Sequence, residues 1–154
     1  DYRWEADYFI TFCTDSRNPY FGEIKNGEMI LSEIGRLAHS LWLEIPQHYK
    51  YVELGVHVIM PDHIHGIISL PKMPIVGDKI CGADRFQNPG KNSLITIVGS
   101  YKAAISKFAR RMGYQFKWQQ GFHDRIIRNE IELNNIVNYI VNNPKNWGTK
   151  QLLP

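Results

Sequence analysis

Hydrophobic residues recur along the chain at two different spacings, every second position in some segments and every third or fourth in others, and the two periods predict strands and helices respectively. Tyr8 to Thr14, "YFITFCT", is short, aromatic and β-branched and reads as a first strand. Asn26 is placed to cap a helix in which Met29, Ile30, Ile34, Leu37, Ala38, Leu41, Trp42 and Ile45 form an apolar stripe, with Pro46 as its stop. Tyr51 to Ile59 and His63 to Leu70 are β-rich runs separated by "MPD"; Pro61-Asp62 is turn chemistry, so they read as a hairpin. Residues 71–92 shift to Pro, Gly and mixed charge, a connection long enough to be functional or mobile.

Ser93 is placed to cap a second helix, with Leu94, Ile97, Val98, Tyr101, Ile105, Phe108 and Met112 on one stripe and Gly113 as its stop. "FKWQQGFHDRII", Phe116 to Ile127, reads as an irregular fourth strand bent at Gly121. Asn129 with Glu132 three residues later opens a third helix on Leu133, Ile136, Val137 and Ile140. Pro144 must terminate it, and disfavours helical backbone at Asn143. The order βαββαβα predicts an α+β sandwich of the ferredoxin-like kind, with a four-stranded antiparallel sheet, helices on one face and the last helix elsewhere.

At 154 residues the chain is read as one domain, 1–154, able to bury a core without staples. Charged residues make up 21%, and there is no low-complexity tract, which excludes a disordered or fibrous class. Cys13 and Cys81 lack CxxC spacing, so neither a disulfide framework nor a structural zinc site is expected, and a reducing cytoplasm fits. The start, "DYRWEADYFITF", has no basic and long apolar signal regions, and no run is long enough for a membrane span. The net charge of +3 is unevenly spread: Lys91 to Arg128 carries +7 and the rest of the chain −4. Such a segment is either a footprint for a polyanion, most often nucleic acid, or a solvated basic helix face.

The run "MPDHIHGII" sets two imidazoles where a buried strand would carry valines. On a strand His63 and His65 share a face while Ile64 points away, so their rings can converge on one ion; each is otherwise a polar residue on a solvated face. The last helix offers a third ligand, because Tyr139 and Asn143 in "NYIVNNP" are four apart and share a helical face. Tyr139 falls with Glu132 and Asn135 rather than on the apolar stripe of Ile136 and Ile140. A phenol beside a metal held by His63, His65 and Asn143 is a nucleophile next to a Lewis acid.

Together, "VIMPDHIHGIISL", "SLITIVGSYKAAISKF", "WQQGFHDRIIR" and "NYIVNNP" resemble, in this order, the HUH transposases with a single catalytic tyrosine, closest to the REP-associated tyrosine transposases and their insertion-sequence relatives. The resemblance spans most of Tyr8 to Trp147. It implies that Tyr139 is the nucleophile and that His63, His65 and Asn143 hold a divalent metal, Mg²⁺ or Mn²⁺. It also implies a single-stranded DNA substrate next to a hairpin, cut and rejoined through a 5′-phosphotyrosine, and a homodimer. Lys102, Lys107, Arg110 and Arg111 are candidates for phosphate contacts, with Arg125 and Arg128 as further backbone contacts. Trp118 is either a base-stacking residue or a core tryptophan, and His123 is left without a role. A competing expectation is a non-catalytic nucleic-acid-binding module, or a domesticated regulator, on the same scaffold. A small metal-dependent hydrolase fits less well, because no carboxylate clusters with the histidines.

Overall fold

The computed structural model describes residues 6–70, 89–149 and 153–154. Its elements run β1 (Ala6–Cys13), a 3-10 turn (Asp15–Arg17), β2 (Gly22–Lys25), β3 (Glu28–Leu31), α1 (Glu33–His48), β4 (Glu53–Ile59), β5 (His63–Leu70), α2 (Pro89–Arg111), β6 (His123–Ile127) and α3 (Glu130–Asn142). The main sheet is four-stranded, in the order β4-β5-β1-β6, and every pairing in it is antiparallel. This is the expected ferredoxin-like arrangement, with β1 and β5 central and β2 and β3 forming a separate two-stranded hairpin.

Alternation along the central strands divides the core in two. Tyr8, Ile10 and Phe12 of β1 join Ile64 and Ile68 of β5 under α1 and α2, which contribute Ile34, Ala38, Trp42, Ile97, Tyr101 and Ile105. The opposite face carries Phe9 and Ile67, covered by Ile136 and Ile140 of α3. α3 therefore sits on the far side of the sheet from the other two helices, on the face that β5 reserves for His63 and His65. Gly66 follows the second histidine for a steric reason: a Cβ there would lie 2.4 Å from the indole of the fully buried Trp42.

Several boundaries differ from expectation. Residues 26–31 do not open the first helix. Asn26-Gly27, with φ of 52° and 73°, makes the tight turn between β2 and β3, and α1 begins at Glu33, capped by the Ser32 side chain accepting from the Gly35 amide. The apolar spacing of Met29 and Ile30 is short enough to suit either period, and the turn dipeptide decides. Pro46 lies inside α1 rather than ending it; in the last turn it forfeits one amide donor, and the helix runs on to His48. α2 starts at Pro89, a turn before Ser93, with proline suited to a first helical position. Of the expected long connection, 71–88 lie outside the described residues and the remainder is the first turn of α2. The fourth strand narrows to β6, preceded by a single bridge between Trp118 and Thr14 and a bend at Gly121, φ 75°. Asn143 keeps helical backbone, φ −56° and ψ −45°, despite Pro144.

Candidate active site

Strand register builds the floor of the site. Thr11 lies opposite His65 on β5 and opposite His123 on β6, and Cys13 lies opposite His63. These side chains share the α3 face of the sheet and line one cleft with Tyr139, Asn143 and Trp147. The cleft encloses about 490 Å³.

Both metal-ligand candidates are oriented through Nδ1. His63 Nδ1 is 2.6 Å from Asp62 Oδ1, and His65 Nδ1 is 2.6 Å from Thr11 Oγ1. Those contacts use one ring nitrogen of each histidine and leave Nε2 as the coordinating atom, which is how protein sites usually fix a metal-binding tautomer. The rings lie at right-angled contact, centroids 4.6 Å apart. Burial first, and then the electrostatic effect of His63 and Arg17, push His65 down to about 3, so its ring is neutral at ordinary pH.

Asp62 is itself held from the other side. The Arg17 guanidinium donates to both carboxylate oxygens, at 2.9 and 3.3 Å, and its third nitrogen lies 3.0 Å from Cys13 Sγ. Burial alone would raise the Asp62 carboxyl, but the His63 hydrogen bond and then Arg17 outweigh it and hold it below the usual carboxylate range. Ser16 and Arg17 both have left-handed backbone, φ 52° and 55°, which brings the guanidinium back over β5. Sequence reasoning missed Arg17, since nothing in a polar loop marks one arginine. Asp62 was read only as a turn residue, although its place directly before His63 was the available signal.

α3 supplies the nucleophile candidate. Tyr139 is half-buried, its ring centroid 5.3 Å from that of His65 and edge-on to Phe9 at 6.2 Å. It thus leans on the rim of the second core rather than standing clear of it. One turn later Asn143 is buried, and its amide nitrogen approaches the Tyr139 carbonyl at 3.5 Å. Among the described residues no group of three or more His, Cys, Asp or Glu side chains is arranged to hold a metal ion. Two imidazole nitrogens and one amide oxygen are the donors that could hold a divalent cation here.

The basic candidates scatter. Lys107, Arg110 and Arg111 are exposed on α2, which covers the opposite face of the sheet from the cleft. Lys102 instead donates to the Gln119 and Gly121 carbonyls at 3.1 and 2.7 Å, pinning the bend before β6, and burial lowers its ammonium. Trp118 is packed against Phe12, Phe21 and Phe116, and its indole N–H donates to the Lys102 carbonyl at 3.0 Å. Arg125 pairs with Glu132 at 2.7 Å and also donates to the Pro154 carbonyl. Arg128 is exposed at the start of α3, where its backbone amide donates to Glu132.

No protein-family model matches the chain. An uncharacterized protein of Haemophilus influenzae is 32% identical over 160 residues, covering 99% of this chain and 87% of that protein. The chain belongs to the family of that Haemophilus protein. Among solved structures, a REP-associated tyrosine transposase bound to a REP hairpin superposes with a TM-score of 0.59 at 20% identity, over 96% of this chain and 72% of that one. A Deinococcus radiodurans protein described as a candidate transposase superposes with a TM-score of 0.54 at 13% identity, over 92% of both chains. The family member and these transposases thus share one scaffold with this chain along nearly its whole length.

Proposed function

We propose that the protein is an HUH single-tyrosine transposase, an endonuclease that cuts and rejoins single-stranded DNA beside a hairpin by transesterification. The observation that carries this reading is the contact of the Tyr139 ring with His65 at 5.3 Å, in a cleft that also holds His63 and Asn143. The transposase scaffold, in one case bound to a REP hairpin, supports the substrate class.

In this reading the Tyr139 oxygen attacks the scissile phosphorus. A tyrosine–phosphorus bond forms, the bond from phosphorus to the 3′ oxygen breaks, the phenol proton passes to solvent, and the leaving oxygen is protonated as a 3′ hydroxyl. The 5′ phosphate stays on Tyr139, so a later 3′ hydroxyl reverses the step and joins strands without an external energy source. His63, His65 and Asn143 would hold a divalent cation, which would supply charge neutralisation at the scissile phosphate. The Asp62 carboxylate accepts from His63 Nδ1 and so leaves Nε2 of that ring as its lone-pair nitrogen, Thr11 orients the His65 ring, and Phe9 packs edge-on against the tyrosine ring. Pairing would hold a phosphate away from a tyrosine fixed on a helix, hence the single-stranded requirement at the cut.

Incubation with Mn²⁺ and single-stranded oligonucleotides carrying hairpins tests the reading through a covalent protein–DNA band in a denaturing gel. The band is expected with the parent protein and is lost with EDTA and with Tyr139→Phe. DNA binding without any band favours the non-catalytic module.

A further inference from the structure

We propose that Trp147 is the stacking platform for the unpaired base adjacent to the phosphate that Tyr139 attacks, an inference that rests on the single-stranded DNA reading above. Trp147 is 42% exposed and belongs to neither hydrophobic core, so packing does not account for a large aromatic side chain at this position. It lies in the cleft with Tyr139 and both histidines, and its ring is near-parallel to that of His63, 24° apart at 6.2 Å. One face of the indole thus turns toward a metal-ligand candidate, and a base laid on the exposed indole would enter the cleft that Tyr139 also lines.

The backbone that carries Trp147 is tied to α3. It follows α3 in a turn held by backbone bonds from Asn146 to the Asn142 and Asn143 carbonyls, at 3.1 and 3.2 Å, and from Trp147 to the Pro144 carbonyl, at 3.3 Å. The turn thus places Trp147 directly after the helix that carries Tyr139 and Asn143. Stacking on a fixed aromatic is sequence-tolerant, because every base presents a π-face. Trp118 has its ring engaged by three aromatic neighbours and its N–H bonded to backbone, and Trp42 is fully buried, which leaves Trp147, among the described residues, as the tryptophan suited to a base.

The test uses the full chain carrying Tyr139→Phe, with Mg²⁺, titrated with single-stranded oligothymidylate while tryptophan emission and affinity are followed. Binding is expected to quench emission. Adding Trp147→Phe removes most of that quench and keeps affinity near the starting value, because an aromatic face remains. Adding Trp147→Leu weakens binding by about 5- to 150-fold. Thermal melts of all three proteins are expected to coincide, since Trp147 lies outside both cores. Undiminished quenching with Trp147→Phe, or unchanged affinity with Trp147→Leu, overturns the stacking role alone. Absence of binding to any single-stranded DNA overturns the functional reading and this inference with it.

Discussion

Asp62 serves two partners with one carboxylate, accepting from His63 Nδ1 on one oxygen and from Arg17 on both. Its charge strengthens the imidazole as a ligand and fixes which nitrogen faces the cleft. Asp62→Ala removes both effects and is expected to weaken Mn²⁺ binding about 10- to 100-fold, read by calorimetry in the absence of DNA. Asp62→Asn keeps an acceptor oxygen and is expected to lose less. Equal Mn²⁺ affinity in the parent and both variants would contradict the role given to Asp62. Thr11 is the corresponding support for His65, but as a neutral hydroxyl it orients the ring without adding charge.

At the scale of elements, the contact of α1 with β4 places His39 Nδ1 3.1 Å from His57 Nε2, with the His57 ring stacked on Trp42. Burial first, and the neighbouring His39 second, lower His57 from 6.5 to about 4. The folded protein thus binds fewer protons at this site than the unfolded chain between those values, so the stability His57 contributes is complete above about pH 6.5 and is lost as pH falls toward 4. His57→Gln is expected to flatten that part of the profile. The difference stays below about 1.4 kcal/mol per pH unit, the limit for one proton, because the ring keeps partial solvent access. Urea unfolding at several pH values with EDTA present checks it, and identical slopes for parent and variant would contradict it.

Much of this level was legible in the sequence. The strand from His63 to Leu70 was read to its ends, and the Asn129 cap fixed the start of α3, because a cap and an unbroken apolar period are local signals. The β2–β3 hairpin was hidden because its short apolar runs continue into the period of α1, although Asn26-Gly27 carried the turn signal. Tyr139, His63, His65 and Asn143 were all named from spacing, and they do meet in one cleft. Arg17 and Trp147 were not named, since their part depends on how a loop and a turn fold back over the sheet. The two tryptophan environments were likewise a matter of tertiary packing, which one-dimensional spacing does not encode.

For the molecule as a whole, the sheet separates two surfaces with different character. One side is sealed by α1 and α2 over the larger core and carries exposed Lys107, Arg110 and Arg111. The other presents the cleft, lined by Tyr139 and both histidines. Lys107, Arg110 and Arg111 thus lie on the opposite side of the sheet from Tyr139 and are not among the residues that line its cleft. Among the described residues no helix is long and apolar enough to cross a membrane. In the proposed reaction the phenolic oxygen of Tyr139 forms the new bond to phosphorus. Digesting the Mn²⁺-dependent protein–DNA adduct with nuclease and protease, then sequencing the peptides by mass spectrometry, tests it most directly. The account predicts a 5′-linked nucleotide mass on the α3 peptide at Tyr139; that mass on any other residue, or an adduct that persists in Tyr139→Phe, would contradict it.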